Sequence, residues 1–298
     1  MTKSNIYQGF VLAITAASLW GVSGTFGQFL FQQRSINVEW LITVRMLSTG
    51  ALLLLFALLK RDNINQIWKN KKDATQLLIF SIVGMLAVQY TYFAAIRHSN
   101  AATATVLQYL APILIALYLA IKNRRLPSFL EYLSIFLAVL GTFLLVTHGN
   151  PTTLLISDTA LFLGIASALA LAFYSIYPIR MLQNHSSALV IGWAMLIGGT
   201  VLAFVKAPWE IEGLWDIYTY SYVGFIIFFG TLVPFYAYLS AVKLIGAQKT
   251  SLLASAEPLS ATIIAVLWLQ VPFNSIDWIG SLCIVSTIFL LAIAKPSR

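Results

Sequence analysis

The sequence contains few charged residues and a single cysteine. Asp, Glu, Lys and Arg make up 9% of its 298 residues and apolar residues make up 59%, a balance that excludes an ordinary soluble domain. The lone cysteine, Cys283, cannot form an intramolecular disulfide and offers no cysteine cluster for a metal. The chain also lacks the H-E-x-x-H and G-x-S-x-G motifs of hydrolytic enzymes. We therefore expect no enzyme, no metal site and no cofactor.

The sequence is instead rich in long apolar segments. Stretches of roughly 20 apolar residues recur, which is the length a helix needs to cross about 30 Å of hydrocarbon. The strict apolar–polar alternation of a membrane barrel is absent, so we predict helices that satisfy their own backbone hydrogen bonds. This pattern predicts an all-α polytopic membrane protein with ten transmembrane helices, at residues 8–31, 38–59, 76–96, 101–121, 128–147, 158–180, 187–205, 219–241, 250–270 and 275–294.

The second half of the chain repeats the first. Between residues 84 and 147, an offset of 146 finds a counterpart without a gap; the matched pairs include Gly84 and Gly230, Tyr90 and Tyr236, Tyr92 and Tyr238, Arg97 and Lys243, Pro112 and Pro258, and Glu131 and Asp277. Each half holds five predicted spans. Because five is odd, the two copies must have opposite orientations, as in many secondary transporters. We predict two inverted five-helix repeats, 1–147 and 158–298, joined by an outer loop at 148–157.

The positions of the cations predict the orientation. With the N-terminus inside, fourteen of the 18 Lys and Arg residues lie in inner segments, three (Arg34, Arg97 and Lys206) lie in outer segments, and Arg45 lies within a span. The positive-inside rule then places both termini in the cytoplasm. The net charge of +8 reflects this bias and does not indicate a nucleic-acid partner. We expect a multi-pass protein of the cytoplasmic membrane, a monomer or homodimer, whose partners are the lipid bilayer and a small-molecule substrate.

Two short motifs add to this topology. Ser18-Leu19-Trp20-Gly21 lies in the first span and Glu257-Pro258 in the ninth. Together with ten spans, two five-span inverted repeats and about 300 residues, these motifs resemble the EamA family of the drug/metabolite transporter superfamily over nearly the whole chain. The resemblance implies a secondary carrier of small metabolites, usually an exporter, that works by alternating access without ATP. The family also includes importers and shares no motif that names a substrate.

Arg45 is a cation within a predicted span. It lies seven residues into the second span, which is about 10 Å deep at 1.5 Å per residue. Because an arginine at a helix centre costs about 2.5–3.5 kcal/mol, it must face a cavity or a partner. It therefore either binds a substrate carboxylate or phosphate, or serves as a structural pair or a side chain that reaches the outer interface.

Glu257 is an acid within a predicted span. Pro258 follows it and lacks the N–H that would bond the carbonyl one turn earlier. The carboxyl group could carry a coupling proton, bond the interrupted backbone or pair with a cation. Its counterpart in the repeat is Ala111, so only Pro112 and Pro258 are shared by the two halves. We predict gating or coupling at these positions, with the two halves rocking about the prolines.

The remaining candidates are aromatic rings and amides within predicted spans. Besides Arg45, the predicted substrate-binding residues are Trp20, Tyr90, Gln108, Tyr174 and Tyr236. Tyr90 and Tyr236 are the preferred pair because the repeat places them at equivalent depth. Packing or an interfacial belt would explain the rings equally. Gln28, Gln89 and Gln108 are amides whose need for partners is met either by a ligand or by a neighbouring helix.

Three functions remain open at this stage. The leading one is transport, chiefly export, of an amino acid or related metabolite through an aromatic-lined cavity with one cation and one acid. The alternative is import or export of an amphipathic or quaternary cation or a drug. A channel-like facilitator ranks lower because no charged ring or filter-like loop is present. A coupling proton at Glu257 is compatible with either carrier.

Overall fold

The computed structural model describes residues 3–153 apart from Arg125 and Pro127, residues 157–260, Ile263 and residues 274–293. The helices are α1 (Lys3–Gln33), α2 (Val38–Leu59), α3 (Gln66–Lys69), α4 (Lys71–Ile79), α5 (Ala87–His98), α6 (Ala101–Gln108), α7 (Ala111–Asn123), α8 (Phe129–Thr147), α9 (Asp158–Ile176), α10 (Ile179–Asn184), α11 (Ser187–Ala203), α12 (Ile217–Ile227), α13 (Val233–Ile245), α14 (Ala247–Leu253) and α15 (Ser275–Ile293). A short 3₁₀ turn covers Pro151–Thr153, and residues 256–260 are also helical. These ranges contain no β-strand, so the predicted all-helical class is confirmed.

Six of the helical segments are long and apolar enough to cross a membrane. They are Asn5–Gln33, Val38–Leu59, Lys71–His98, Thr103–Lys122, Asp158–Asn184 and Ile217–Ile245. Three shorter apolar segments, Phe129–Leu144, Ser187–Ala203 and Ser275–Thr287, lie where other spans are predicted. Much of the predicted span 250–270 lies outside the described residues. The polytopic architecture is therefore confirmed, and the number of ten spans stays a prediction.

The predicted fourth span, 101–121, is interrupted. A turn at Tyr109 and Leu110 separates α6 from α7, and Pro112 follows at the second position of α7. A proline cannot donate the hydrogen bond that would continue the helix across this point. An equivalent turn follows α14 and precedes Pro258. Both prolines that the repeat pairs therefore lie just after a helix break.

Polar caps fix where the last helix of each half begins. At the start of α8, the Ser128 backbone N–H donates to Glu131 Oε2 at 2.6 Å and the Glu131 N–H donates to Ser128 Oγ at 3.4 Å. At the start of α15, the Asn274 N–H donates to Asp277 Oδ2 at 2.7 Å. Such side chains satisfy N–H groups that lack helical partners. The match of Glu131 with Asp277 thus has a structural cause.

The third span of each half contains a π-helical segment at an equivalent place. These segments are Phe80–Leu86, between α4 and α5, and Phe228–Leu232, between α12 and α13. They contain the paired glycines Gly84 and Gly230 and end 146 residues apart. A β-carbon at Gly230 would overlap the Ser23 side chain, so this glycine permits α1 to approach closely. Because a π-turn holds more residues than an α-turn, it rotates the side chains that follow it.

The two halves pack on each other across their whole length. α1 packs on α13, and its counterpart α9 packs on α5. Equivalent helices also meet: α2 packs on α11, and α8 packs on α15. The α2–α11 contact is close enough that a β-carbon at Gly50 would lie 2.7 Å from the Leu196 backbone nitrogen. This arrangement leaves one central space between the halves.

Both ends of the molecule are tied by contacts between the halves. At the predicted outer end, Arg34 Nη2 lies 2.9 Å from Asp216 Oδ2. The pKa of Asp216 is lowered below its usual value, mainly because the carboxylate accepts a hydrogen bond from the Thr219 backbone N–H. At the predicted inner end, Gln76 Nε2 donates to the Tyr177 carbonyl at 2.9 Å. The two halves are therefore joined by polar contacts at both predicted ends.

Candidate functional site

A central cavity lies between the two halves. It encloses about 700 Å³ of space between atoms, including its opening. Helices α1, α2, α5, α6, α7, α9, α13 and α14 all contribute to its wall, together with the segment after α14. The lining residues are Trp20, Ser23, Gly24, Arg45, Val88, Gln89, Tyr92, Phe93, Gln108, Tyr109, Pro112, Leu171, Tyr174, Phe235, Tyr238, Ser251, Ala254 and Glu257.

Arg45 supplies a buried cation to this cavity. Its side chain projects from α2 and the residue is 2% exposed. The guanidinium carbon lies 4.6 Å from the centre of the Phe93 ring and 5.9 Å from that of Phe235, where each ring face attracts a cation. In the described part of the chain, its Nε and Nη1 atoms have no hydrogen-bond partner and no carboxylate lies within 4 Å. Arg45 therefore presents unused donors to the cavity.

Glu257 supplies a buried acid from the opposite half. The residue is 5% exposed, and its Oε1 accepts a hydrogen bond from the Tyr92 hydroxyl at 3.1 Å. The same hydroxyl lies 2.9 Å from Thr105 Oγ1. Because no ion pair forms between Glu257 and Arg45 within the described ranges, the cavity holds one acidic and one basic group that do not neutralise each other by contact.

Gln89 is a further unused polar group. Both atoms of its amide are buried without a partner among the described residues, and the residue is 2% exposed. The sequence identifies Gln89 as an amide in need of a partner and does not select it for the site. Gln108 lines the cavity as predicted and also donates to Ser167 Oγ at 2.5 Å. Gln28 accepts from the Ala101 backbone N–H at 2.9 Å and lies outside the cavity lining.

Aromatic rings form one wall of the cavity. The Trp20 ring centre lies 5.2 Å from the ring centres of Phe235 and Tyr238. Tyr174 stacks on Tyr238 at 5.7 Å, and its hydroxyl is buried without a partner in the part of the chain described. The Tyr238 hydroxyl is satisfied by Ser175 Oγ at 2.7 Å. Trp20 and Tyr174 thus line the cavity where the sequence predicts a substrate contact.

The two members of each Tyr-x-Tyr pair lie in different places relative to the cavity. Tyr90 is 36% exposed and Tyr236 packs edge-on against Phe56, and neither lines the cavity. Their neighbours Tyr92 and Tyr238 line it instead. Residues two apart on a helix point in nearly opposite directions, so only one tyrosine of each pair can face inward. Equivalence in the repeat identified the pairs and could not tell which member faces the centre.

The break before Pro258 is bonded to the other half. The Tyr109 hydroxyl donates to the Ala254 carbonyl, which is the group that would pair with the N–H that Pro258 lacks. The Glu257 backbone N–H also donates to this carbonyl, at 2.9 Å. Tyr109 itself lies at the break before Pro112, so one hydrogen bond joins the two breaks. Of the two predicted gating prolines, Pro112 lines the cavity and Pro258 is not among its lining residues.

The described residues contain no group of three or more His, Cys, Asp and Glu side chains placed to hold a metal ion. What the cavity brings together is a guanidinium, a carboxyl group, an amide and aromatic faces. These groups can bind and orient a small molecule by hydrogen bonds, charge and apolar contact.

Comparisons with known proteins agree with this description. The EamA-like transporter family matches residues 7–147 and 158–293. The chain is 42% identical over 294 residues to the uncharacterized inner membrane transporter YicL of Salmonella typhimurium, covering 98% of this chain and 97% of that protein. It is 24% identical to the uncharacterized transporter YetK of Bacillus subtilis, covering 96% and 87%.

A solved crystal structure of a protein has the same fold, with a TM-score of 0.78 at 17% identity, covering 97% of this chain and 96% of that one. At this identity the likeness concerns the fold alone. The family match falls on both halves of the chain and covers most of its length. The chain belongs to the EamA-like transporter family and is a multi-pass membrane transporter.

Proposed function

We propose that this protein is a secondary transporter that exports an amino acid or a related zwitterionic metabolite across the cytoplasmic membrane by alternating access. The observation that supports the substrate class is the pair of separate buried charges, Arg45 and Glu257, in one cavity with an aromatic wall. The cytoplasmic membrane is supported by the apolar spans and by the similarity to an inner membrane transporter. The cation bias of the sequence supports placing both termini in the cytoplasm.

The carboxylate of the substrate is expected to bind Arg45. A buried guanidinium with unused donors is costly, and a carboxylate accepts two parallel hydrogen bonds from it. Gln89 has an unused amide donor in the same cavity. A ligand with this group would therefore satisfy donors that the protein leaves without partners.

The amino group of the substrate is expected to bind Glu257. Tyr92 already bonds one oxygen of this carboxyl group, and this contact orients it toward the cavity. The apolar side chain of the substrate would lie against Trp20, Phe235 and Tyr238. Contact with ring faces is largely non-directional, which suits a set of apolar amino acids better than one polar side chain.

The alternative substrate is an amphipathic or quaternary cation. Aromatic rings and one carboxyl group are suited to such a ligand. Arg45 lies in the same cavity and would repel it, because its charge is not neutralised by an acid at contact distance. This observation favours the zwitterion. A coupling proton at Glu257 remains compatible with both.

Alternating access is supported by the paired breaks. Each lies beside the cavity and is followed by a proline, and discontinuous helices near the midplane are typical of transporter sites. Tyr109 joins the breaks through the Ala254 carbonyl. Rocking of one half against the other would exchange this bond and the contacts that tie each end.

A ligand series with one side chain tests the substrate class. Thermal unfolding of the purified protein is measured with L-leucine, L-leucinamide, 4-methylpentanoic acid, isoamylamine and tetraethylammonium. We expect L-leucine to stabilise most and each loss of a charge to weaken binding by at least about tenfold, because a charged hydrogen bond contributes roughly 1.5–3 kcal/mol. Stabilisation by tetraethylammonium without any effect of L-leucine would instead support the cation carrier.

Counterflow in proteoliposomes tests the mechanism. Unlabelled L-leucine on one side should accelerate uptake of labelled L-leucine from the other, since a carrier returns faster when loaded. Equal flux with and without the unlabelled ligand would show a channel-like pathway. Vesicles that contain no protein give the background rate.

A further inference from the structure

An open groove at the predicted cytoplasmic end is rich in cations. It lies between the start of α4 in the first half and, in the second half, the end of α9 and the start of α10. Its lining residues are Lys71, Lys72, Thr75, Gln76, Tyr177 and Arg180. This groove lies apart from the central cavity and shares no lining residue with it.

The three cations of the groove have no acidic partner. In the described residues, no carboxylate oxygen lies within 4 Å of Lys71, Lys72 or Arg180. Asp73 follows Lys72 in the chain, but it is buried at 4% exposure, its Oδ2 contacts His185 at 3.2 Å, and it does not line the groove. The groove therefore keeps its positive charge.

The opposite end of the molecule shows that this charge is not required by the fold. There the cap of α12 is Asp216, which binds Arg34, the residue after α1, at 2.9 Å. The equivalent cap of α4 is Asn70, 146 residues earlier, and it is neutral. Arg180, which follows α9, thus has no acid where the outer end has one. The asymmetry leaves room for an anion from outside the protein.

The groove also contains neutral polar residues, and it lies near the end of a membrane span. Thr75 and Tyr177, whose side chains carry hydroxyls, line it together with the cations. Gln76 donates to the Tyr177 carbonyl and so holds the two walls together. Lys71 is the first residue of the span Lys71–His98, which places the groove at the height of lipid headgroups on the cytoplasmic side.

We propose that this groove binds the phosphate group of an anionic phospholipid of the cytoplasmic leaflet. Three cations without a carboxylate partner among the described residues suit the negative charge of a phosphodiester, and basic pockets between helices on this side are suited to lipid headgroups. The bound lipid would bridge the first half, through Lys71 and Lys72, to the second, through Arg180. The choice of leaflet rests on the predicted orientation, whereas the phosphate site does not.

Native mass spectrometry of the full-length protein tests the site. Binding of phosphatidylglycerol and of phosphatidylcholine is titrated on the natural chain and on the triple variant Lys71→Gln, Lys72→Gln, Arg180→Gln. We expect a clear preference for phosphatidylglycerol, which the triple variant loses by on the order of 100-fold, since each cation near the headgroup contributes about fivefold. A matched variant, Lys60→Gln, Arg61→Gln, Lys69→Gln, removes the same charge outside the groove and should keep the preference.

Two results would overturn the proposal. One is equal loss in both triple variants, which would show general attraction by the inner face. The other is displacement of phosphatidylglycerol from the groove by millimolar inorganic phosphate, together with loss of phosphate binding in the groove variant. That result would show that the groove binds a free anion. Binding of L-leucine to the groove variant, measured separately, shows whether the central cavity is intact.

Discussion

In both halves, a π-helical segment precedes a tyrosine that lines the cavity, and a helix break precedes a proline. Three polar groups of the cavity do not follow this symmetry, because their counterparts in the other half are apolar. Gln89 corresponds to Phe235, Glu257 corresponds to Ala111, and, counted from the caps Asn37 and Ser186, Arg45 corresponds to Ala194.

This difference separates moving parts from ligand contacts. A carrier that opens alternately to two sides needs equivalent joints in its inverted halves. A ligand with two unlike charges needs an acid on one side and a base on the other. The repeated prolines and tyrosines therefore fit the first requirement. The polar groups that occur in only one half fit the second.

The largest expected effect comes from removing the cation of the cavity. Arg45→Gln should weaken L-leucine binding by roughly 100-fold, because a charged hydrogen-bonding group is lost, and should leave L-leucinamide binding nearly unchanged. Isothermal titration measures both ligands. Arg97→Gln, at an exposed residue that does not line the cavity, serves as the control. Equal losses for both ligands would mean that Arg45 has a structural role.

Removing the acid should have the next largest effect. Glu257→Gln keeps the shape and deletes the negative charge, so L-leucine should bind about tenfold more weakly while 4-methylpentanoic acid is unaffected. The same titration measures it. Glu210→Gln, in the segment between α11 and α12, is the matched control. If counterflow persists and only proton-driven accumulation is lost, Glu257 carries the coupling proton instead.

The Tyr-x-Tyr pair offers a built-in comparison. Tyr92→Phe removes the hydroxyl that bonds Glu257 and Thr105, and should reduce L-leucine affinity about fivefold. Tyr90→Phe removes a hydroxyl outside the cavity and should have no effect. Comparable losses in the two variants would contradict the inward placement of Tyr92.

The bond between the breaks should affect rate more than affinity. Tyr109→Phe leaves the Ala254 carbonyl with one donor, so this conformation should lose about 1 kcal/mol relative to the others. We expect the counterflow rate to change by about two- to tenfold and hydrogen exchange of residues 247–260 to rise. Tyr118→Phe, in the following helix α7 and with an exposed side chain, should change neither. An unchanged hydrogen-exchange pattern in Tyr109→Phe would contradict the inference that this hydrogen bond couples the two helix breaks.

The smallest effect is expected from removing the ion pair between Arg34 and Asp216. Asp216→Asn makes this cap like its counterpart Asn70, and since the pair with Arg34 is partly exposed, the melting temperature should fall by at most a few degrees. The Thr219 N–H lowers the pKa of Asp216 below its usual 3.8. The contribution of Asp216 is therefore full above that value and is lost as the pH falls through the lowered pKa. Melting curves from pH 7 to pH 3 should show the two proteins converge only at the acid end.

Much of the cavity wall could be predicted from the sequence. Trp20, Arg45, Gln108 and Tyr174 all line it, because polar and amphipathic side chains within apolar spans have few other acceptable places. Their roles in binding remain proposals. Gln89 and Tyr109 were not selected, because their importance depends on what lies opposite them. Tyr90 and Tyr236, the preferred pair, do not line this cavity, because equivalence in the repeat does not specify which side of each helix faces it.

The sequence by itself determined that the protein lies in a lipid bilayer, that it is helical and which family it belongs to. These follow from composition, from the length of the apolar segments and from the repeat in the sequence. Only the tertiary structure decided which tyrosine faces the cavity. Among the described residues, it also decided that Arg45 and Gln89 have unused donors and that no acid lines the groove around Arg180. These features depend on contacts between residues far apart in the chain. Packing fixes such contacts, and local sequence does not specify them.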